Sequence, residues 1–172
     1  TKHGVVIALL GRIEFRDDDK LMKIMPQYAR RKRVAIYLNS PGGSLAGSLR
    51  LGHAVRKFGI ITVVRDGVRC ASACANVFFA GWDRQNNVPY RVKSSAAWLG
   101  VHHPYSKRTG EPVASGPFVL EKLRRYFEHM NVGEELYDLM IKTSSARMAY
   151  IKNSTLKRMD GFKIEPTQTI RF

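Results

Sequence analysis

The sequence has few cysteines and lacks a long hydrophobic run. Only two cysteines occur among 172 residues, so the chain must fold around a hydrophobic core rather than a disulfide framework. No stretch approaches the roughly 18 apolar residues of a membrane-spanning helix, since the longest run is Val5–Leu10. The sequence therefore predicts no transmembrane segment.

The two cysteines, Cys70 and Cys74, stand four residues apart. A disulfide between such positions within one helical turn needs distorted geometry, so the spacing favours free thiols. No His or carboxylate cluster accompanies them, which makes them a poor zinc site. No metal or cofactor is expected.

Acidic residues are scarce, with 14 Asp and Glu against 29 Lys and Arg and a formal net charge of +15. Such a balance attracts polyanions without specifying one. The basic residues are scattered apart from Arg30–Arg33, and no aromatic residues are interleaved with them. We interpret the charge mainly as a solvated surface with non-specific attraction for anions.

What the sequence has is an alternation of strand and helix patterns over a length that suits one domain, residues 1–172. Val5–Leu10 suits a strand buried on both faces, Asp17–Asp19 can cap a helix, and Ser44 can cap another that Gly59 ends. This order is typical of βαβ units and a parallel sheet with flanking helices. The predicted strands are 5–10, 34–38, 60–64, 96–101 and 162–164, and the predicted helices are 20–28, 44–58, 73–79, 118–130, 134–142 and a short one after 156.

Ser72 lies among small residues between a β-branched run, 60–64, and an apolar segment of helical length. That pattern predicts a strand, a tight turn and a helix N-terminus, where free backbone N–H groups favour negative charge. A serine there is often only a helix cap. Two other turns argue for a chemical role.

The glycine-rich turn Asn39–Ser44 and the His102–Pro104 segment each follow another predicted strand. Because parallel strands end at one edge of a sheet, we expect both to meet the Ser72 turn. A serine needs a base within hydrogen-bond reach, and His102 or His103 supplies one. Backbone N–H groups near Gly42, Gly43 and Ala73 could bind an oxyanion.

These residues resemble the ClpP-type serine peptidases of the crotonase-like superfamily. The resemblance rests on Asn39–Ser44, on Ser72 followed by Ala80–Gly81, and on His102–Pro104, and it spans most of the chain from Gly4 to Ile164. It implies a ClpP/crotonase-like spiral of βαβ units and a bacterial serine hydrolase that forms a homo-oligomer. The Cys-Ala-Ser-Ala-Cys segment is more similar to compact, ATPase-independent members, which implies a periplasmic or secreted protein whose leader is not in this chain.

Carried over by motif, the resemblance implies Ser72 as the nucleophile, His102 as the general base, and the N–H groups of Gly42 and Ala73 as the oxyanion hole. His103 is then a flanking residue.

The third member of the triad, an acid, is missing, because Met148 occupies the position where the family has it. Ser144, Ser145 or Asp138 could orient His102 instead. The alternatives are a Ser-His dyad and a protein without catalysis.

Three functions stay open at this point. The first is an ATP-independent peptidase that acts on peptides or unfolded proteins. The second is a catalytically impaired module that binds peptides or anions, for which the missing acid and the positive charge argue. The third is an acyl-CoA-processing enzyme of crotonase type, against which the lack of a Glu pair in these turns argues.

Overall fold

A computed structural model describes residues 4–31, 33–105 and 117–166 of the chain. Most of the predicted loop between Tyr105 and Pro117 lies outside these residues. No helix in the described part is long and apolar enough to cross a membrane.

The strands are β1 (Val5–Leu10), β2 (Val34–Asn39), β3 (Ile61–Val64), β4 (Arg69–Ala71), β5 (Trp82–Asp83), β6 (Val88–Pro89), β7 (Arg91–Ser94), β8 (Trp98–Val101), β9 (Ala149–Tyr150) and β10 (Phe162–Glu165). The helices are α1 (Asp17–Ile24), followed by a 3-10 turn (Met25–Tyr28), α2 (Leu45–Phe58), α3 (Ala73–Phe79), α4 (Pro117–His129), α5 (Glu134–Lys142) and α6 (Asn153–Lys157).

Five strands form a parallel sheet in the order β1-β2-β3-β7-β10. The sequence pattern predicts four of them. It misses β7, which lies in a stretch of polar residues without clear periodicity. Arg91 and Lys93 on this strand are buried, because their charged ends reach backbone carbonyls: Arg91 Nε donates to Phe79 O at 2.7 Å and Lys93 Nζ to Ser94 O at 2.9 Å.

The expectation that β1 is buried on both faces is wrong. β1 is an end strand of the sheet, and its burial alternates. Val5, Ile7 and Leu9 pack against the main core, whereas Val6 and Leu10 are 47% and 71% exposed. A continuous apolar run therefore does not require two covered faces.

A second sheet carries two of the three predicted site turns. β4 pairs with β8 in parallel, and β9 pairs with β8 in the antiparallel direction. The Ser72 turn follows β4 and His102 follows β8. The glycine turn after β2 is tied to the same sheet, because Ser40 forms a parallel bridge with Cys70 on β4.

Helix α2 begins and ends where the sequence pattern predicts. Ser44 Oγ accepts a hydrogen bond from Gly47 N at 3.0 Å, and Gly59 ends the helix in the left-handed conformation at φ 62°. The glycine turn therefore lies between two well-defined elements, with β2 at its start and the capped helix α2 at its end.

Candidate active site

Ser72 forms a sharp turn between β4 and α3. Its backbone has φ 57° and ψ −126°, a conformation that residues with side chains rarely adopt and that is often found at functional sites. The turn is held from both sides, because Ser72 N donates to Gly100 O on β8 at 2.9 Å and Ser72 O accepts from Ala75 N at 2.9 Å. The strand before it is β4 rather than the β-branched run of β3.

A disulfide joins Cys70 to Cys74 across this turn. The prediction of free thiols is wrong, because it assumes one continuous helix over both residues. Cys70 lies on β4, Cys74 lies in α3, and the reversal at Ser72 brings their Cα atoms to 5.1 Å, a distance that suits a disulfide. Both cysteines are fully buried.

His102 follows β8 and is 8% exposed. Its Nδ1 lies 2.8 Å from the carbonyl oxygen of His103. Because a carbonyl can only accept, Nδ1 carries the proton in the neutral ring, and Nε2 is left with the lone pair of a base. The backbone thus selects the tautomer that a general base needs.

Ser72 and His102 line one cleft of about 370 Å³. Gly43 from the glycine turn and Ala73 at the start of α3 also line it, so the three turns do meet. Among the described residues no hydrogen bond joins Ser72 Oγ directly to the His102 ring. Hydroxyl and imidazole therefore share the cleft without a direct hydrogen bond between them.

The glycine turn approaches the Ser72 turn too closely to carry side chains. A Cβ on Gly42, at φ 103°, would lie 2.7 Å from both Ser72 Cβ and Ala71 O. Gly42 N already donates to Ser40 Oγ at 3.0 Å. By contrast, within the described part of the chain the N–H groups of Gly43 and Ala73 have no acceptor, so these two are available to bind an oxyanion.

Among the described residues, none of the candidates for an orienting residue forms a hydrogen bond with the His102 ring. Asp138 pairs with Lys142 at 2.6 Å on the exposed side of α5, and Ser144 Oγ accepts from Ala146 N at 3.3 Å. Ser145 lines the cleft, as does Met148, but neither is hydrogen-bonded to the His102 ring. No Asp or Glu of the described residues lines the cleft.

Asn76 is a site residue that the sequence analysis does not identify. It lies four residues after Ser72, hence on the same face of α3, and it lines the cleft. The side-chain Nδ2 of Asn76 donates to Ser48 Oγ at 3.1 Å, and the backbone carbonyl of Asn76 accepts from Tyr126 Oη at 2.7 Å. Burial raises the pKa of Tyr126, so the phenol keeps its proton and holds this first turn of α3 in place.

Two arginines, Arg12 and Arg147, complete the described cleft wall. They are 135 positions apart and belong to no motif, so no signal in the sequence joins them. In residues 4–31, 33–105 and 117–166, no three His, Cys, Asp or Glu side chains come together as metal ligands. The cleft therefore combines a hydroxyl, an imidazole, free N–H donors and positive charge.

No protein-family model matches the chain, and no curated protein matches its sequence. The fold, however, is shared with solved structures. A serine-to-alanine mutant of the 1510-N membrane-bound stomatin-specific protease superposes with a TM-score of 0.68 at 13% identity, over 95% of this chain and 78% of that one. A lysine-to-alanine mutant of the same protease in complex with a substrate peptide gives 0.67 at 14% identity, over 95% and 74%.

The ClpP1 of Listeria monocytogenes, as an asparagine-to-aspartate mutant, gives a TM-score of 0.64 at 15% identity, over 95% of this chain and 92% of that chain. At such identities the likeness concerns the fold alone. The predicted α/β architecture, a ClpP/crotonase-like fold with a parallel sheet and flanking helices, is confirmed.

Proposed function

We propose that this protein is a serine hydrolase that cleaves peptide bonds without ATP. The observation that carries the proposal is the convergence of Ser72, His102 and two free N–H donors on one cleft. The structural neighbours that share the fold are named as proteases, and one of them holds a substrate peptide. Peptides or unfolded proteins are the proposed substrates.

In the proposed reaction His102 Nε2 takes the hydroxyl proton of Ser72 while Ser72 Oγ forms a bond to the carbonyl carbon of the substrate. The resulting oxyanion accepts hydrogen bonds from the N–H groups of Gly43 and Ala73. Expulsion of the amine, which receives the proton from His102, leaves an acyl-serine. Water, activated by the same imidazole, then releases the acid and restores Ser72.

The carbonyl of His103 replaces the missing acid in this proposal, because it accepts the Nδ1 proton and fixes the tautomer. A neutral carbonyl stabilises the imidazolium less than a carboxylate does, so the enzyme is expected to be slow. In a triad enzyme, exchanging the carboxylate for an amide that selects the wrong tautomer costs about ten-thousand-fold. Here the tautomer is the correct one, so the loss is expected to be smaller.

The disulfide supports the further proposal that the protein works in an oxidising compartment such as the periplasm or the exterior. Association into a homo-oligomer also stays a prediction. Large exposed side chains favour it, among them Phe118 at 78% and Trp98 at 54% exposure. Light scattering coupled to gel filtration tests it.

The acyl-CoA alternative is not favoured, because the structural neighbours are proteases and no carboxylate of the described residues lines the cleft.

The test is hydrolysis of fluorescently quenched casein in the absence of ATP. We expect turnover by the wild type and at least about a thousandfold loss in both Ser72→Ala and His102→Gln. Ser154→Ala on α6 and His53→Gln on α2 are matched controls, because both lie on exposed parts of helices outside the cleft. Full activity of Ser72→Ala overturns the proposal, as does casein binding by the wild type with no turnover, which instead favours a binding module.

A further inference from the structure

We propose that the cleft selects substrates that carry a carboxylate next to the scissile bond, and that Arg12 and Arg147 bind this carboxylate. The inference rests on the proposed function, since it names the substrate class of the same cleft. It is drawn from where the chain places the two arginines and from the absence of an acidic partner among the described residues.

Arg12 is held beside the oxyanion side of the cleft. Its neighbour Ile13 is buried and pairs with the glycine turn: Ile13 N donates to Gly42 O at 2.9 Å, and Ser44 N donates to Ile13 O at 2.9 Å. This pairing flanks Gly43, whose N–H is one of the two free donors. This backbone pairing places Arg12 next to the glycine turn, where its exposed side chain lines the cleft.

Arg147 is held beside the imidazole side of the cleft. Its backbone N–H donates to Ser144 O at 3.0 Å in the turn after α5. Two residues later β9 pairs with β8, with Ala149 opposite Val101, and Val101 directly precedes His102. The two arginines thus reach the cleft from segments that pair with the glycine turn and with β8, the strand before His102.

The charge of both arginines is left without an ion-pair partner among the described residues. Among the described residues neither Arg12 nor Arg147 has a carboxylate within salt-bridge distance. Six other arginines do have such a partner: Arg16, Arg33, Arg50, Arg124, Arg125 and Arg158. The described cleft wall therefore offers a bound peptide two arginines and no Asp or Glu side chain.

A carboxylate is the anion that suits this place. Guanidinium groups bind carboxylates through paired N–H donors, and a peptide held over Ser72 carries carboxylates either on Asp and Glu side chains or at its C-terminus. An acidic side chain would give an endopeptidase with a preference for acidic sequences. A terminal carboxylate would give cleavage close to the end of the chain.

The experiment uses one fluorogenic peptide in three forms, with Glu, Gln or Lys placed in turn at the positions flanking the cleaved bond. Each form is made with a free and with an amidated C-terminus. We expect kcat/KM for the best Glu peptide to exceed that of its Gln counterpart about fivefold or more, and the Lys peptide to be slowest. The preference should shrink as the salt concentration rises.

Charge reversal locates the effect. Arg147→Glu, and separately Arg12→Glu, should lower the Glu-to-Gln ratio about fivefold or more and raise the relative rate of the Lys peptide. Arg30→Glu is the matched control, because it changes the net charge equally on an exposed residue outside the cleft. Equal rates for Glu and Gln peptides with both kinds of C-terminus overturn the inference, and so does an equal change of the ratio in Arg30→Glu.

The two sources of the carboxylate are distinguished by the amidated peptides. A preference that persists after amidation assigns it to the side chain, and one that disappears assigns it to the terminus. If no peptide is cleaved, anisotropy of the labelled peptides on Ser72→Ala gives the answer without catalysis. Tighter binding of carboxylate peptides that is lost with Arg147→Glu supports the inference even though the hydrolase proposal fails, and binding that ignores the carboxylate overturns it.

Discussion

Opening the Cys70–Cys74 disulfide should lower the rate of hydrolysis as well as the stability of the fold. The bond closes a loop with a sequence separation of only 4, for which the chain-entropy model gives about 2 kcal/mol of stabilisation. The same loop contains Ser72 in a backbone conformation with positive φ, which costs roughly 1–3 kcal/mol when nothing holds it. The disulfide therefore constrains the proposed nucleophile directly.

The expected effect on the rate follows from these magnitudes. If the bond supplies about 1.4 kcal/mol of what holds the turn, its loss lowers the equilibrium ratio of correctly to incorrectly placed Ser72 about tenfold. We expect kcat to fall by up to this factor while KM changes little, because the other cleft residues stay in place. Urea unfolding should show a loss of about 2 kcal/mol.

The assay compares the wild type, with and without dithiothreitol, and the variant in which Cys70→Ala and Cys74→Ala are combined. Alanines suit a fully buried position and leave no polar atom without a partner. The chain has no other cysteine, so the double variant must not respond to dithiothreitol. If mass spectrometry shows two free thiols in the wild type after dithiothreitol treatment and kcat is unchanged, the reasoning is refuted.

Further predictions concern packing around the site. Gly43→Ala should destabilise the fold by more than about 2 kcal/mol in urea unfolding, because its Cβ would lie 2.7 Å from Ile13 N. Gly67→Ala, at φ 70° in open space, should cost only about 1–2 kcal/mol, and equal losses would contradict this. Arg91→Lys should cost about 3 kcal/mol or more by thermal or urea unfolding, since the buried guanidinium donates to several carbonyls. Arg30→Lys, at an exposed position, should not change the free energy of unfolding measurably. An equally small change in Arg91→Lys would show that the contacts of Arg91 contribute little to stability.

The strands of the large sheet could be predicted because their residues are apolar and bounded by turn residues. β2, β3 and β10 appear in the structure within a residue or two of the expected positions. The same rule misses β7, since it treats Arg91 and Lys93 as surface residues. Arg91 donates to carbonyls of Phe79 in α3 and of Asp160, and Lys93 donates to Asn153 Oδ1. No local pattern reveals these distant partners.

The candidate site could be predicted in outline from its three turns. Each contains residue types that local chemistry demands: glycine where two backbones touch, serine before a helix, and histidine after a strand. The sequence does not show which N–H groups are free. Gly42 N is occupied by Ser40 Oγ, a contact that depends on the detailed path of the turn.

Other parts of the site depend on contacts across long stretches of chain. The disulfide is missed because the spacing rule takes 70–74 as one helix, whereas Ser72 reverses the chain between a strand and a helix. Arg12 and Arg147 reach the cleft through pairing of their neighbours with the glycine turn and with β8. A sequence read one segment at a time does not contain that information.

The central claim is that Ser72 is a nucleophile activated within the cleft. The most direct measurement is labelling of the folded protein with a fluorophosphonate, followed by mass spectrometry of its peptides. The account predicts one label per chain on Ser72, none in Ser72→Ala, and much slower labelling in His102→Gln. A label that persists in Ser72→Ala, or a wild type that takes up none, would contradict it.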